Sequence, residues 1–291
     1  MADSNNMSDL WKRLRFVLIG IIVYRIGTHI PIPGIDPQRL SSLFDQNQGT
    51  ILELFNLFSG GALERMSIFA LNVVPYISAA IIMQLFSNSI PYLIELKKDG
   101  QAGRNAITQY TRYGTVLLAF IQASALAVTL SSGGLAYNPG TAFFVSAVFS
   151  VVAGTIFLMW LGEQISERGI GNGISIIIAT SILTGIPSAI GQALEQARQG
   201  DLNILMLLSI GVLAMVVIAV VVFIERGQRR ITVNYAQRQQ GRKLMQAQAS
   251  HLPFKVNMAG VIPAIFASTF LLFPASLSTW FGQGENFGFL Q

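Results

Sequence analysis

Few residues of this chain have the types and spacing that chemistry requires. The chain has no cysteine, which excludes disulfides and thiolate sites, and its two histidines, His29 and His251, lie far apart in sequence. Glu163 and Glu167 are four residues apart and could share a helix face, but we interpret them as a solvated pair at a membrane edge. No zinc-protease or nucleophile-elbow motif occurs. The sequence therefore predicts that the protein is not an enzyme and binds no metal or cofactor.

A glycine-rich stretch, RGIGNGIS at residues 168–175, superficially resembles a dinucleotide-binding fingerprint. That fingerprint needs a strand before it, whereas this stretch follows a charged loop. We expect its glycines to let the backbone pack closely at the start of a membrane span.

Two arginines fall inside apolar segments, where a charge is costly and usually functional. Arg25 lies within the first apolar run, and it either extends toward the outer membrane surface or has a functional role. Arg65 lies on a short amphipathic segment and could pair with Glu64 or Glu53. A pair of that kind does not contradict a gating role for the segment.

The composition is that of a protein that crosses a membrane several times. Only 11% of the residues are charged, compared with about 25% in an average soluble domain, and the mean hydropathy is +0.54. We expect residues 95–112 and 225–255 to be polar loops, and no signal-peptide cleavage site follows the first apolar run. Seven segments are long and apolar enough to span: about 14–32, 73–89, two within 113–162, 170–190, 202–224 and 258–281.

The second span is interrupted within residues 55–86, where Asn72 and Pro75 break the apolar run. Because proline lacks a backbone N–H and fits best in the first turn of a helix, we expect a short helix at about 62–71 and a longer one from about Val73. A broken helix exposes backbone polar groups, which only protein or water tolerates. The sequence therefore predicts that this element lines a pathway and that the short helix is a candidate gate.

The distribution of lysine and arginine predicts a cytoplasmic N-terminus. In that orientation the outer loops hold only Arg39 and Arg198. The inner segments hold fifteen basic residues: Lys12, Arg13, Arg15, Lys97, Lys98, Arg104, Arg112, Arg168, Arg226, Arg229, Arg230, Arg238, Arg242, Lys243 and Lys255.

The inner loop at 225–255 is longer than topology requires and strongly basic. Alternation around Ile231 and Val233, with Gly241 near a turn, indicates a hairpin. The basic residues could serve only topology or contact acidic lipid headgroups. They could instead bind a nucleic acid or an acidic protein in the cytoplasm.

Six stretches, in order along the chain, resemble the SecY family, the central channel subunits of bacterial protein translocases. They are PIPGID (31–36), FNLFSGGALERMSIFALNVVPYIS (55–78), TQYTRYGT (108–115), MWLGEQISERGIGNGISIII (159–178), ERGQRRITVNYAQRQQGRK (225–243) and NMAGVIPAIFAS (257–268). The resemblance implies an all-α polytopic membrane protein, an inverted-repeat bundle of ten helices around an hourglass pore. This chain would hold the first seven helices plus a short re-entrant plug helix.

The resemblance also implies roles for particular residues. The constriction would be an aliphatic ring, to which this chain contributes Val73, Ile77, Ile174, Ile178 and Ile265. The plug would be about residues 62–71, with Ala62, Leu63, Glu64, Arg65, Met66, Ser67, Ile68 and Phe69. A lateral gate toward lipid would include Ser78 and Gln122, and docking of a ribosome or motor would use Arg229, Arg230, Arg242 and Lys243.

The implied activity is passage of unfolded polypeptides across, and lateral release of apolar segments into, the bacterial inner (plasma) membrane. The implied partners are the SecE and SecG subunits, the SecA motor, the ribosome with its RNA, nascent chains or preproteins, and membrane lipid. Residues 1–190 would form the N-terminal half and residues 191–291 the start of the second half. We expect the chain to be a fragment, since the resemblance implies three further helices.

Two other classes remain as alternatives. A secondary transporter could also use broken helices and inverted repeats, but it should show polar or ionisable residues converging near the middle of the membrane. The spans after the first carry almost none. An intramembrane enzyme would need a catalytic constellation, and the sequence contains none that we recognise.

Overall fold

The computed structural model describes residues 3–46, 56, 59–200, 203–233, 239–240, 243–244 and 250–257. Its helices are α1 Asp3–Gly27, α2 Pro37–Gln46, α3 Val74–Ser89, α4 Pro91–Lys98, α5 Gly100–Ser132, α6 Thr141–Arg168, α7 Gly173–Gln199 and α8 Ile204–Arg226. Its strands are β1 Gln228–Val233, β2 Gln239–Gln240, β3 Lys243–Leu244 and β4 Ser250–Lys255. These elements fall into two compact units, one extending to Ala189 and the other running from Ile190 to Ala267.

Within the described residues, four helices are long and apolar enough to cross a membrane: α5, α6, α7 and α8. The bent pair α3 and α4 passes the same test as one broken span, with an angle of 94° between the two helices. These elements correspond to the second to sixth spans expected from the sequence. The first expected span lies on α1, which carries too many charges to pass that test, and the seventh, 258–281, lies outside the described residues.

Three segments are more helical than the sequence predicted. Residues 95–112, expected as a loop, form the end of α4 and the beginning of α5, and α1 begins at Asp3 rather than near residue 14. The loop after the first span also contains a ten-residue helix, α2. The 33 residues of α5 measure about 50 Å, well beyond a hydrocarbon core of about 30 Å, so its polar start is a continuation of a span. A polar composition indicates that a segment lies in water and not in lipid, but it does not end a helix.

Two hydrophobic clusters form the interior of the first unit. One lies mainly between α5 and α6 and includes Ala123, Ala127, Val148 and Val151. The other joins α1, α6 and α7 and includes Tyr24, Leu158, Leu161, Ile165 and Ile177.

The expected packing role of the glycine-rich stretch holds for Gly173. A Cβ atom at Gly173 would lie 2.0 Å from the carbonyl oxygen of Gly162 and 2.8 Å from Cβ of Ile165. Only a glycine lets the start of α7 approach α6 this closely.

In the second unit, β1 pairs with β4 in antiparallel register, with Ile231 opposite Leu252. The shorter strands β2 and β3 pair with Gln240 opposite Lys243. The expectation of a hairpin around Gly241 is thus confirmed by the strands on either side of it, although Gly241 itself lies outside the described residues.

Candidate functional site

Residues 59–73, which we call the buried segment, fold as consecutive turns rather than as the short helix expected at 62–71. Its backbone hydrogen bonds do not keep the constant spacing of a helix. Met66 N donates to Leu63 O and Asn72 N donates to Phe69 O, each three residues back, whereas Ser67 N donates to Ala62 O, five residues back. Met66 and Asn72 adopt φ of 42° and 49°, in the left-handed region that ends a helix. These two residues explain why a helical pattern in the sequence does not become a helix.

The backbone of the loop before α2 pairs with the buried segment. Ile32 N donates to Met66 O at 2.8 Å, and Ile68 N donates to Ile30 O at 3.0 Å. These bonds satisfy backbone groups that a helix would have satisfied within itself. The turn structure therefore depends on its neighbours.

The buried segment lies in both hydrophobic clusters of the first unit. Leu63, Met66 and Ala70 belong to the cluster of α5 and α6. Ala62 and Phe69 belong to the cluster of α1, α6 and α7. Glu64 and Arg65, by contrast, are exposed, so the segment has one polar side between two apolar ones.

Phe69 is held in a tight aromatic seat. Its ring stacks between Tyr24 of α1 and Phe157 of α6, with ring centroids 6.1 and 5.9 Å apart. A Cβ atom at Gly27 would lie 1.9 Å from the Phe69 ring, and one at Gly154 would lie 2.0 Å from the carbonyl oxygen of Ile68. The two glycines thus leave the space that Phe69 and its backbone occupy.

A buried polar node ties the segment to two helices. Tyr24 Oη lies 2.6 Å from Ser181 Oγ of α7, and Asn72 Nδ2 donates to the same Ser181 Oγ at 3.1 Å. The single hydrogen of Tyr24 Oη is shared between Ser181 Oγ and the carbonyl oxygen of Ser59, which lies 3.2 Å away, since Ser181 Oγ uses its own hydrogen to donate to Ile177 O at 2.9 Å. Tyr24, Asn72 and Ser181 are each at most 2% exposed, so these bonds form away from water.

The two arginines within apolar segments both contact this region. Arg25 is half-buried and donates from Nη1 to the carbonyl oxygen of Gly60 at 3.2 Å, so it contacts the buried segment. Arg65 Nη1 lies 3.0 Å from His29 Nε2, and His29 Nδ1 lies 2.9 Å from Arg25 O. A guanidinium can only donate, so His29 accepts at Nε2 and donates from Nδ1 to the carbonyl of Arg25.

His29 is a partner of Arg65 that the sequence analysis did not name. The carboxylate of Glu64 accepts instead from Asn56 Nδ2 at 3.0 Å, and Glu53 lies outside the described residues.

Four of the five expected ring residues share one cluster. Val73 is a buried member, and Ile77, Ile174 and Ile178 pack against it half-buried. Ile77 follows Val73 by one turn of α3, with its N–H bonded to Val73 O at 3.0 Å. The fifth residue, Ile265, lies outside the described residues.

The expected gate residues are half-buried on two helices that pack together. Ser78 lies on α3 and Gln122 on α5. Cβ of Ala79 would lie 3.5 Å from a Cβ placed on Gly114 of α5, an ordinary contact distance. The helices therefore meet closely beside Ser78.

The expected docking residues belong to the strands of the second unit. Arg229 and Arg230 are exposed on β1, opposite Phe254 and Pro253 of β4. Lys243 lies on β3, and Arg242 lies outside the described residues.

Sequence reasoning missed Tyr24, Phe157, Gly154 and Ser181. A tyrosine and a serine inside apolar runs are common, so their types alone carry little signal. A usable signal would have been a helix-face plot, since Tyr24 and Gly27 lie three residues apart on one face of α1.

The chain matches the sequence model of the SecY family over residues 67–290. It is 64% identical to the protein translocase subunit SecY of Pseudomonas aeruginosa over 289 residues, 99% of this chain and 65% of that protein. It is 59% identical to the subunit of the same name from Buchnera aphidicola subsp. Acyrthosiphon kondoi, covering 99% of this chain and 82% of that protein. For the Escherichia coli K12 protein the identity is 58%, with 99% and 66% covered. The chain thus spans about two thirds of the length of most of these relatives.

Solved structures show the same fold. A structure described as a protein conducting channel matches with a TM-score of 0.66 and 21% identity, over 93% of this chain and 58% of that one. Sec61 in a canine ribosome-channel complex from the endoplasmic reticulum matches with a TM-score of 0.65 and 20% identity, over 93% and 58%. From the sequence model and the identity to these relatives, the chain belongs to the SecY family.

Proposed function

We propose that this chain is the pore-forming part of a protein-conducting channel. It passes unfolded polypeptides across the bacterial inner membrane and releases apolar segments sideways into lipid. The single observation that carries the proposal is one shared cluster. In it Val73, at the end of the buried segment, meets Ile77, Ile174 and Ile178. The names of the relatives support it, and they do not favour a secondary transporter.

The four aliphatic residues form most of the constriction, with Ile265 as a further member. Aliphatic side chains offer no fixed hydrogen bonds, so they hold no particular sequence, and their rotamers adapt to substrate side chains of different sizes. An empty constriction of this kind resists ions because it dewets. It thus suits a substrate of any sequence.

The buried segment is the plug of this channel. It ends at the ring residue Val73, and its side chains belong to both hydrophobic clusters of the first unit. Its exposed side carries Glu64 and Arg65, which suits a surface toward water. In its seat it adds a steric seal to the aliphatic constriction.

The sideways exit uses the region of α3 and α5 around Ser78 and Gln122. Apolar polypeptide segments that reach this seam partition into lipid according to their own hydrophobicity. Residues 1–190 form one half of the channel and residues 191–291 begin the second half.

The N-terminus and the basic strands face the cytoplasm, in agreement with the lysine and arginine distribution. Arg229, Arg230, Arg242 and Lys243 dock the ribosome, including its RNA, or the SecA motor. SecE and SecG are subunits of the same complex. The ribosome-bound state of the related Sec61 supports the first of these partners.

A bulky or charged residue in the ring tests the proposal in the native complex that contains this chain. Ile178→Trp should slow preprotein transport into membrane vesicles, because the indole obstructs the constriction. Ile77→Asp should raise the ion conductance of the resting channel, because a carboxylate wets the constriction. Ile186→Trp, on an exposed face of the same α7, is the matched control for the first variant and should transport normally.

Unchanged transport and unchanged ion tightness in both ring variants would show that these residues do not form the constriction.

A further inference from the structure

The polar node is the one place in the first unit where the buried segment and the two helices α1 and α7 share a hydroxyl group, as far as the described residues go. Ser181 Oγ accepts a hydrogen bond from Asn72 Nδ2 of the segment and forms a second hydrogen bond with Tyr24 Oη of α1. It sits within the same apolar surroundings as Val73 and Ile177. A polar junction in such a place holds its elements in register, because unpaired groups there are costly.

The bonds of the node differ in length according to what they join. The bond between the helices, Tyr24 Oη to Ser181 Oγ, is 2.6 Å long. The two bonds to the segment are longer, 3.1 Å from Asn72 Nδ2 and 3.2 Å to the carbonyl oxygen of Ser59. Because Tyr24 Oη has one hydrogen, its longer contact with the Ser59 carbonyl competes for that hydrogen with its shorter contact with Ser181 Oγ.

The helix side of the node remains paired when the segment is removed from it. Tyr24 and Ser181 keep the bond to each other, and Ser181 keeps Ile177 O as an acceptor. The groups that lose partners, the Asn72 amide and the Ser59 carbonyl, both travel with the segment, where water can pair them. Departure therefore leaves no orphaned polar group between α1 and α7.

We propose that Tyr24 and Ser181 are positioning residues that form a releasable anchor for the buried segment. The pair holds the seated segment through Asn72 and Ser59. When the segment leaves, the hydroxyl groups of Tyr24 and Ser181 remain hydrogen-bonded to each other. This inference rests on the proposed function, in which the segment moves away to admit a substrate.

Two substitutions test the two contacts of the anchor separately: Ser181→Ala removes the contact with Asn72, and Tyr24→Phe removes the contact with Ser59. Ser181→Ala removes this acceptor of the Asn72 amide in the seated state. In the unseated state it also takes Ser181 from Tyr24 Oη, but that hydroxyl then borders the space that the segment has left, where water pairs it, so the net loss falls on the seated state. Tyr24→Phe removes only the bond to Ser59 O and the contact with Ser181, and it retains the stack on Phe69. Losing one buried hydrogen bond should increase the unseated population about five- to tenfold in the first variant and less in the second.

The chain contains no cysteine, so a single introduced thiol reports on the segment. Ser67→Cys is close in size, and Ser67 is fully buried. In the purified native complex without substrate, a water-soluble maleimide should label this thiol about five- to tenfold faster when Ser181→Ala is also present. Ser188→Ala, another hydroxyl deletion on α7, and Tyr76→Phe, another half-buried tyrosine, should leave the rate unchanged.

A second thiol distinguishes release from general loosening. Ala147 on α6 is 2% exposed and lies in the cluster of α5 and α6. The variant Ala147→Cys supplies this second thiol. Its labelling rate should not change in the Ser181→Ala background. Equal acceleration at both thiols would mean that the node only stabilises the fold, and this result would overturn the anchor.

A stalled preprotein separates this inference from the proposed function. With the node intact, a stalled chain should expose Ser67→Cys to the maleimide, and clearing the chain should protect it again. No exposure would contradict the plug role itself. Exposure by the stalled chain, together with no effect of Ser181→Ala or Tyr24→Phe, would overturn the anchor alone.

Discussion

At the scale of single residues, the space around Phe69 is tightly filled. Two aromatic rings stack on it, and two glycines leave room for it. The sequence identified this segment as amphipathic but did not predict the position of Phe69, because aromatic stacking depends on how α1 and α6 approach. Only three-dimensional contacts bring Gly27, Gly154 and Phe69 together.

Gly154→Ala should weaken this seat. The added Cβ would lie 2.0 Å from the carbonyl oxygen of Ile68, which is backbone and cannot rotate away. Overpacking of this kind costs about 1–3 kcal/mol, so the thermal unfolding midpoint of the complex in detergent should fall. Gly191→Ala on α7 meets nothing within 4 Å and is the control. A midpoint that falls equally in both variants would contradict the seat.

At the scale of elements, the break before α3 was predictable and the conformation before the break was not. Asn72 and Pro75 indicated where a helix must restart, and α3 runs from Val74 to Ser89, within one residue of the expected bounds. The turns of residues 59–73 depend on positive φ at Met66 and Asn72 and on backbone bonds to Ile30 and Ile32. Local sequence patterns do not contain those distant partners.

The basic strands of the second unit should carry docking. Arg242→Glu with Lys243→Glu reverses two charges in the loop that the strands frame, so binding of ribosomes or of the SecA motor to the native complex should weaken. The loss should shrink as salt rises, because exposed charges are screened. Equilibrium binding at two salt concentrations measures this.

Lys97→Glu with Lys98→Glu, on α4 of the first unit, is a matched double charge reversal that should leave binding intact. Unaltered affinity of the Arg242 and Lys243 variant at physiological salt would remove the docking role.

At the scale of the whole molecule, the proposed orientation rests on an excess of basic residues on one side. Fifteen lysines and arginines fall on the proposed inner side and two on the outer. The count depends on the number of spans, and the described residues support the second to sixth of them. Hydropathy predicts such spans well because lipid forbids unpaired backbone groups.

Single cysteines test the orientation in intact bacterial cells. Tyr137→Cys, in the exposed turn between α5 and α6, should react with a maleimide that cannot cross membranes. Gln228→Cys on β1 should react only after the membrane is permeabilised. The reverse pattern would contradict a cytoplasmic N-terminus.

The covalent continuity of Asn72 and Val73 has a mechanical consequence. Asn72 holds the buried segment to Ser181, and the next residue, Val73, ends the segment and caps α3 with its carbonyl oxygen bonded to Ile77 N. Displacement of the buried segment would therefore pull on the first turn of α3, and with it on the two ring residues Val73 and Ile77. In the proposed channel, a polypeptide that displaces the buried segment therefore also moves these ring residues, so loss of the seal and widening of the constriction are coupled.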